Sequence, residues 1–134
     1  MPGGGCRQPP TVDSVKAGVH HLKMEGKEVY KAAVNAMTGA AREVLERTGL
    51  TMEDIKYLIP HQANQRIISA IGDRLGARED QVFVNLHKYG NTSAASVAVA
   101  LDEALQSGKI ERGDKILIVA FGAGLTWGAT VLEW

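Results

Sequence analysis

Apolar positions recur along the chain with two periods, and the switches between them predict alternating helices and strands. Apolar side chains three or four residues apart predict three helices, at residues 27–47, 64–75 and 93–105. Short apolar runs predict five strands, at residues 19–24, 55–60, 82–86, 115–121 and 125–132. This alternation favours an α/β fold with a mixed, mostly parallel sheet packed between helices.

Two segments are apolar enough to predict deep burial. The run KILIVAF at 115–121 is typical of a strand covered on both faces. The helix at 93–105 is so rich in Ala, Val and Leu that we expect little of it to face water. By contrast, Gly and Pro are abundant in residues 1–18, which we expect to form a loop before a single domain at 19–134. If these apolar segments are normally covered by further chain, the protein alone should expose an apolar face.

Composition and charge exclude several classes of function. The 134 residues are 45% apolar, which suits one globular domain with a core. Fifteen basic residues balance fifteen acidic ones, so no global field favours nucleic acid or an anionic membrane. No apolar run approaches the roughly 18 residues of a membrane span, and the first residues lack a signal-peptide core. We therefore expect a soluble cytoplasmic protein. Its one cysteine, Cys6, rules out an internal disulfide.

Candidate chemistry lies where three predicted strands end. His61 follows the first of these strands, Asn91 lies in a Gly-Asn-Thr-Ser sequence after the second, and Gly122-Ala123-Gly124 follows the third. Parallel strands bring such ends to one edge of a sheet, so we expect them to converge. An imidazole, a carboxamide and exposed backbone N–H groups would suit a developing oxyanion or enolate. The alternative is that His61 is a cap or a satisfied core residue, and that Asn91 is a helix N-cap.

Other candidates are weaker on the same reasoning. Cys6 lies in a Gly/Pro loop without a helix N-terminus to lower its pKa, so an unreactive thiol is the better interpretation. His20, His21 and His87 show no metal-ligand spacing, and we expect no metal site. Gly122-Ala123-Gly124 leads into a strand pattern, which favours a tight turn over a dinucleotide-binding loop.

Three sequences resemble the C-terminal motifs of one family of condensing enzymes, β-ketoacyl-acyl-carrier-protein synthase III. They are HQANQRII at 61–68, YGNTSAAS at 89–96 and FGAGLTWGATVLEW at 121–134. PGGGCRQP at 2–9 and MEGKEVYKAAV at 24–34 resemble the family's inter-half loop and the first helix of its second half. The resemblance covers essentially the whole chain, and it implies the C-terminal half of a thiolase-like fold.

The resemblance also implies residue roles. The family uses a Cys, His and Asn triad; His61 and Asn91 match the His and Asn, and the Cys belongs to the half that this chain lacks. The backbone N–H of Ala123 would contribute to the acyl oxyanion hole, where some relatives have Gly. Asn64 would orient the pocket through hydrogen bonds.

Substrates and partners are implied in the same way. The family joins an acyl-coenzyme A primer to malonyl on acyl carrier protein without a metal or redox cofactor, as a homodimer, in the cytoplasm or in a plant plastid. Arg66 would meet the acidic carrier protein, with Lys31 and Arg74 extending the patch. Asp73 stands where a second base is often found, which departs from the family pattern.

Two other interpretations remain open from the sequence. The chain would be a stand-alone, non-catalytic module that binds carrier protein or coenzyme A through the Arg66 face. Alternatively, it would be an unrelated α/β hydrolase using His61, although no Ser or Cys elbow and no partner acid is evident. If the chain is instead half of a transferase, as the resemblance implies, the chain alone is not expected to make a condensation product.

Overall fold

Three strands and five helices form the structure, a computed structural model that describes residues 4–21 and 23–134. Two short 3₁₀ turns, at Met52–Asp54 and Glu79–Gln81, precede β1 and Val82. The elements in chain order are α1 (Val12–Lys16), α2 (Gly26–Thr48), β1 (Ile55–Pro60), α3 (Gln65–Leu75), α4 (Leu86–Tyr89), α5 (Ala95–Gln106), β2 (Lys115–Gly122) and β3 (Thr126–Glu133).

The sheet has the order β1-β2-β3 and is mixed. β1 pairs in parallel with β2, from Ile55 opposite Lys115 to Pro60 opposite Val119. β2 and β3 form an antiparallel hairpin. The predicted α/β class and mixed sheet are therefore confirmed.

Both faces of the sheet are covered by helices, because neighbouring residues of β1 and β2 point to opposite sides. Leu58 and Leu117 pack with α2 and α3 on one face. Ile59 and Ile116 pack with α5 on the other. All four are fully buried, so the predicted burial of β2 on both faces is confirmed.

Local signals fix the ends of α2 and α3 close to their predicted bounds. Asn64 caps α3 by accepting a hydrogen bond from the backbone N–H of Arg66 at 2.8 Å. Gly49 and Gly76 end the two helices with φ values of 67° and 71°, the left-handed conformation that glycine adopts without strain.

The prediction that little of helix 93–105 faces water is wrong for this chain. α5 is fully buried only along Ser96, Ala100 and Ala104, a stripe with a four-residue period. Exposed apolar side chains also lie on and beside the hairpin, where Leu125, Trp127 and Trp134 are 55%, 58% and 48% exposed. The expectation of an exposed apolar face is thus met in part at the β2–β3 hairpin, whereas β2 itself is central in the sheet and covered.

Two predictions near the N-terminus are wrong. Within the expected loop 1–18, residues 12–16 form α1, because Thr11 and Ser14 form a capping box just after Pro10. The expected strand 19–24 is a turn at 19–21, since Gly18 adopts a φ of 65° and the segment finds no strand partner there. Residues 23 and 24 are not strand either, and residues 1–3 and 22 lie outside the described part of the chain.

The predicted strand 82–86 is also wrong. Its pairing is reduced to one parallel bridge between Leu58 and Val82, and the chain enters α4 at Leu86. The backbone N–H groups of Asn85 and Leu86 bind a side chain, as described below, and so are not available to a strand ladder.

Within the described residues, no helix combines the length and the apolar character needed to cross a bilayer.

Two helical glycines give a paired test of this packing. Gly39 of α2 is exposed, and a Cβ there would meet nothing within 4 Å. Gly39→Ala should therefore raise the free energy of unfolding by about 0.5–1 kcal/mol. A Cβ on buried Gly72 of α3 would lie 3.0 Å from Cγ2 of Val82. Gly72→Ala should lower the urea midpoint below that of Gly39→Ala; equal stabilisation by both would contradict the described contact between α3 and Val82.

Candidate active site

His61 continues the end of β1 at the edge of the sheet. Its backbone N–H donates to the carbonyl of Val119 at 2.8 Å, which extends the β1–β2 pairing by one residue. The imidazole is half-buried, and its Nδ1 lies 2.5 Å from Oγ of Ser96. Burial lowers the pKa of His61 below the ordinary 6.5. Burial therefore favours the neutral form of the ring.

Ser96 joins the start of α5 to the end of β1. It is 2% exposed and begins the buried stripe of α5. Besides contacting His61, its Oγ accepts a hydrogen bond from the backbone N–H of Gln62 at 3.2 Å. Sequence reasoning missed Ser96, although a hydroxyl on the core face of an apolar helix is the signal that would have identified it.

Gln62 holds the segment before α4 against the end of β1. Its side chain is almost fully buried, and its Nε2 donates to the carbonyls of Pro60 at 2.7 Å and Phe83 at 3.3 Å. Its Oε1 accepts from the backbone N–H groups of Asn85 at 3.0 Å and Leu86 at 3.2 Å. The carboxamide thus satisfies backbone groups that a longer strand would have paired.

A second polar contact ties α4 to α5. Asn85, which is 2% exposed, donates from Nδ2 to a carboxylate oxygen of Glu103 at 3.0 Å. Lys88 forms an ion pair with the other oxygen. The hydrogen bond from Lys88, followed by that from Asn85, holds the pKa of Glu103 below its usual value. The loop containing Asn91 is therefore anchored at both ends, by α4 before it and α5 after it.

Asn91 lies in that loop and is exposed. Its Oδ1 accepts from the backbone N–H of Ser93 at 2.9 Å, and Ser93 adopts a φ of 57°. Because the amide oxygen is engaged within the loop, the amide nitrogen presents its two N–H donors away from that bond. The alternative interpretation of Asn91 as an N-cap is wrong, since Ala94 occupies the N-cap position of α5. His61 and Asn91 share no hydrogen bond in the described part of the chain.

Ala123 lies in the turn that joins β2 to β3, as the tight-turn interpretation predicted. Gly124 and Leu125 take the positive φ values of the turn, 78° and 54°, whereas Ala123 does not. Alanine is therefore accommodated there without backbone strain. Since β2 is the parallel neighbour of β1, this turn follows the strand beside the one that carries His61.

Three predicted docking residues lie along the contact between α2 and α3. The Arg66 guanidinium is 5.6 Å from the centroid of the Tyr30 ring. Arg74 donates to Oδ1 of Asn35 at 2.6 Å. Lys31 follows Tyr30 and is one helical turn before Asn35, but its charge is shared with Glu28 at 3.2 Å. Arg42, which sequence reasoning missed, donates to the carbonyl of Arg74 at 2.7 Å. We refer to Lys31, Arg42, Arg66 and Arg74 as the cationic seam.

The remaining candidates do not join the site. Cys6 is exposed, in the turn closed by the bridge between Gly5 and Gln8. Among residues 4–21 and 23–134, no three His, Cys, Asp or Glu side chains are arranged to hold a metal ion.

Comparison with known proteins agrees with these motifs. Residues 45–134 match the family described as 3-oxoacyl-[acyl-carrier-protein (ACP)] synthase III C terminal. The β-ketoacyl-[acyl-carrier-protein] synthase III of Caldanaerobacter subterraneus is 59% identical over all 134 residues, which span 40% of that protein. The enzyme of the same name from Symbiobacterium thermophilum is 50% identical over 133 residues, 99% of this chain and 40% of that protein.

Solved structures show the same likeness. The crystal structure of 3-oxoacyl-[acyl-carrier-protein] synthase III from Aquifex aeolicus superposes with a TM-score of 0.83 at 51% identity, covering 85% of this chain and 37% of that one. The synthase III from Thermus thermophilus gives a TM-score of 0.82 at 54% identity, covering 85% of this chain and 36% of that one. The chain therefore spans about two fifths of the length of the relatives it matches, and the thiolase-like architecture expected from the motifs is confirmed.

The Gln62 carboxamide provides a direct stability test of the site. Gln62→Leu should lower the free energy of unfolding by on the order of 3 kcal/mol or more, because each buried backbone group left without a partner costs about 1–3 kcal/mol. Urea denaturation followed by circular dichroism measures the change. Gln106→Leu is the matched control: Gln106 is exposed and its side chain donates to Asp102, so the substitution should change stability by less than about 0.5 kcal/mol. Equal effects of the two substitutions would contradict the described role of Gln62.

Proposed function

Because the chain belongs to the C-terminal family of 3-oxoacyl-[acyl-carrier-protein] synthase III, we propose that it is the C-terminal catalytic half of that condensing enzyme. The complete enzyme would initiate fatty-acid synthesis by joining an acyl-coenzyme A primer to malonyl-acyl carrier protein with loss of carbon dioxide. The observation that carries the proposal is the contact of Nδ1 of His61 with Oγ of Ser96, which ties the end of β1 to the first buried residue of α5, directly after the loop that contains Asn91.

The proposed roles follow from where charge develops. A cysteine thiolate of the N-terminal half attacks the acyl-coenzyme A carbonyl and forms a thioester, and the coenzyme A thiolate leaves with the electron pair of the broken carbon–sulfur bond. The malonyl thioester oxygen then accepts hydrogen bonds from Nε2 of His61 and Nδ2 of Asn91. As the bond to the carboxylate breaks, its electron pair passes into an enolate, and these two donors stabilise the oxygen. By analogy with other oxyanion donors, each would contribute about 2.7–4 kcal/mol.

Carbon–carbon bond formation is the last step of the proposed reaction. The enolate carbon attacks the acyl-cysteine carbonyl, and the thiolate leaves with the electron pair of the broken carbon–sulfur bond. The backbone N–H of Ala123 would stabilise the oxyanion of that tetrahedral intermediate. Neither step transfers electrons to an external acceptor, so the reaction calls for no redox cofactor.

Asn64 has a more local role in this proposal than the sequence suggested. Its Oδ1 caps α3, which fixes the direction of the helix that leaves the His61 turn and carries Arg66. Asn64 would thus support the pocket through the helix start, with its amide nitrogen left for a substrate contact.

The N-terminal half and a second subunit are the proposed protein partners. The apolar side chains of Leu125, Trp127 and Trp134 on and beside the hairpin are about half exposed, as expected of a surface that further chain would cover. β3 is also an edge strand with one unpaired side.

The cationic seam is the proposed contact for the acidic carrier protein. Arg66 and Arg74 hold their guanidinium groups against α2, and Arg42 adds a third charge at the Arg74 end. Glu28 partly neutralises Lys31, so we assign the arginines the larger share. Because all residues of the cationic seam belong to this chain, we expect the chain to bind carrier protein even without its catalytic partner.

A full-length chimera tests the catalytic roles. In it, this chain replaces the aligned segment of the Caldanaerobacter enzyme. His61→Ala and Asn91→Ala should each slow malonyl decarboxylation by about 100-fold or more, as removal of an oxyanion donor does. Acyl transfer from coenzyme A to the cysteine should stay largely intact. Mass spectrometry of the acyl-enzyme and of the β-ketoacyl product separates the two steps.

The chain without an N-terminal half is the control for the chimera, and it should give no product with acetyl-coenzyme A and malonyl-acyl carrier protein. Condensation by the isolated chain that Cys6→Ser abolishes would refute the assignment. So would loss of acyl-enzyme formation as severe as the loss of decarboxylation in either variant.

Charge reversal tests the docking surface in the same chimera. Arg66→Glu should raise KM for malonyl-acyl carrier protein at least about tenfold while leaving acyl transfer from coenzyme A nearly unchanged. Docking of carrier protein to the wild-type chimera should weaken with salt, because exposed charges are screened over about 8 Å at physiological ionic strength. Arg112→Glu is the control, since Arg112 is exposed before β2, at the end of the sheet away from His61. Equal losses with both carriers would indicate a folding defect rather than lost docking.

A further inference from the structure

The hydrogen bonds around Ser96 determine which nitrogen of His61 carries the proton. The backbone N–H of Gln62 can only donate, so the bond from it at 3.2 Å makes Oγ of Ser96 an acceptor. The hydroxyl still has one hydrogen to place. Within the described residues, the only other hydrogen-bond partner of Oγ is Nδ1 of His61, at 2.5 Å.

The two tautomers of His61 are therefore not equivalent. If Nδ1 is bare, it accepts the hydroxyl hydrogen, and every polar atom of the contact is satisfied. If Nδ1 carries the proton, Ser96 accepts twice and its own hydrogen has no partner. Ser96 is 2% exposed, so water cannot readily take that hydrogen, and the second arrangement is disfavoured.

We infer that Ser96 is a positioning residue that holds His61 as the Nε2–H tautomer. The proton is then on the nitrogen that faces away from Ser96, where the imidazole can donate to a substrate oxygen. This inference rests on the proposed function for its catalytic meaning, because only a donor at Nε2 stabilises the enolate oxygen. Its structural content, the tautomer itself, is independent of activity.

The rigidity of the contact comes from its surroundings. Ser96 begins the buried stripe that continues through Ala100 and Ala104 against the sheet, so α5 cannot shift without losing that packing. On the other side, the backbone of His61 is paired with Val119 of β2. The two partners are thus fixed by separate elements, and the hydroxyl spans the junction between them.

Nitrogen NMR of the histidine rings tests the inference on the protein itself. The 134-residue chain labelled with ¹⁵N-histidine is measured at a pH at which His61 is neutral, and a His61→Gln variant identifies its signals among the four histidines. The expected pattern for His61 is a protonated Nε2 and a bare Nδ1. Ser96→Ala should shift both signals toward the averaged values of mixed tautomers, and Ser96→Thr, which keeps the hydroxyl, should return them.

Ser69→Ala is the matched control, because Ser69 is exposed on α3 and contacts Gln65 rather than a histidine. It should leave the His61 signals unchanged. A wild-type ring protonated at Nδ1 would overturn the inference, as would a folded Ser96→Ala protein with an unchanged spectrum. If circular dichroism shows that Ser96→Ala does not fold, the wild-type pattern decides: Nε2–H supports the inference and Nδ1–H overturns it.

The catalytic consequence is measured in the chimera. Ser96→Ala should slow decarboxylation about 10- to 100-fold, by analogy with metal-binding histidines that lose the partner of their other ring nitrogen. Acyl transfer from coenzyme A should change by less than about twofold, because His61 is not proposed to act in that step. An unchanged decarboxylation rate would overturn the positioning role. A chimera that never decarboxylates, but whose His61 is the Nε2–H tautomer, would refute the proposed function and leave the tautomer assignment standing.

Discussion

The buried carboxamide of Gln62 makes four hydrogen bonds to backbone atoms, and they join the end of β1 to the segment that enters α4. The side chain sits one residue after His61, so the imidazole and the carboxamide extend from the same short stretch of backbone. His61 is the catalytic candidate, and its neighbour Gln62 fixes the segment that leads through α4 to the Asn91 loop. Loss of this carboxamide would leave buried N–H and C=O groups without partners, the costliest kind of polar defect in a protein interior.

Around this junction, apolar and polar interactions have separate tasks. Helices on both faces of the sheet bury Leu58, Ile59, Ile116 and Leu117, which fixes β1 and β2 as a rigid base. Polar contacts near the strand ends then orient individual side chains: Ser96 contacts Nδ1 of His61, and Glu103 binds both Asn85 and Lys88. Buried polar networks of this kind stabilise a fold only when each member is satisfied.

Sequence reasoning succeeded where the signal is local. The apolar stripes of α2 and α3, together with Gly49 and Gly76 at their ends, define these helices without reference to the rest of the molecule. β2 was equally readable, because a strand covered on both faces is almost continuously apolar, and β1 shows the same character from Tyr57 to Pro60. The position of His61 at a strand end followed from the same pattern.

Tertiary contacts explain the failures. Residues 82–86 have the composition of a strand, but the Gln62 side chain takes the N–H groups of Asn85 and Leu86, and only Val82 pairs with β1. No local sequence pattern predicts that contact, because it joins residues more than twenty positions apart in the chain. Ser96 was overlooked for a related reason: its importance depends on which turn of α5 meets β1. The outer face of α5 was misjudged because composition alone does not tell which side of an apolar helix packs on the sheet, and here only the Ser96, Ala100 and Ala104 stripe does. Amide hydrogen exchange of the folded chain, measured by NMR, tests most directly whether Gln62 holds the two segments of the site together. The N–H groups of Asn85 and Leu86 should exchange as slowly as those of β2, such as Ile118, although they lie outside any strand. Exchange of both as fast as the exposed loop amides of Thr92 and Ala94 would contradict it.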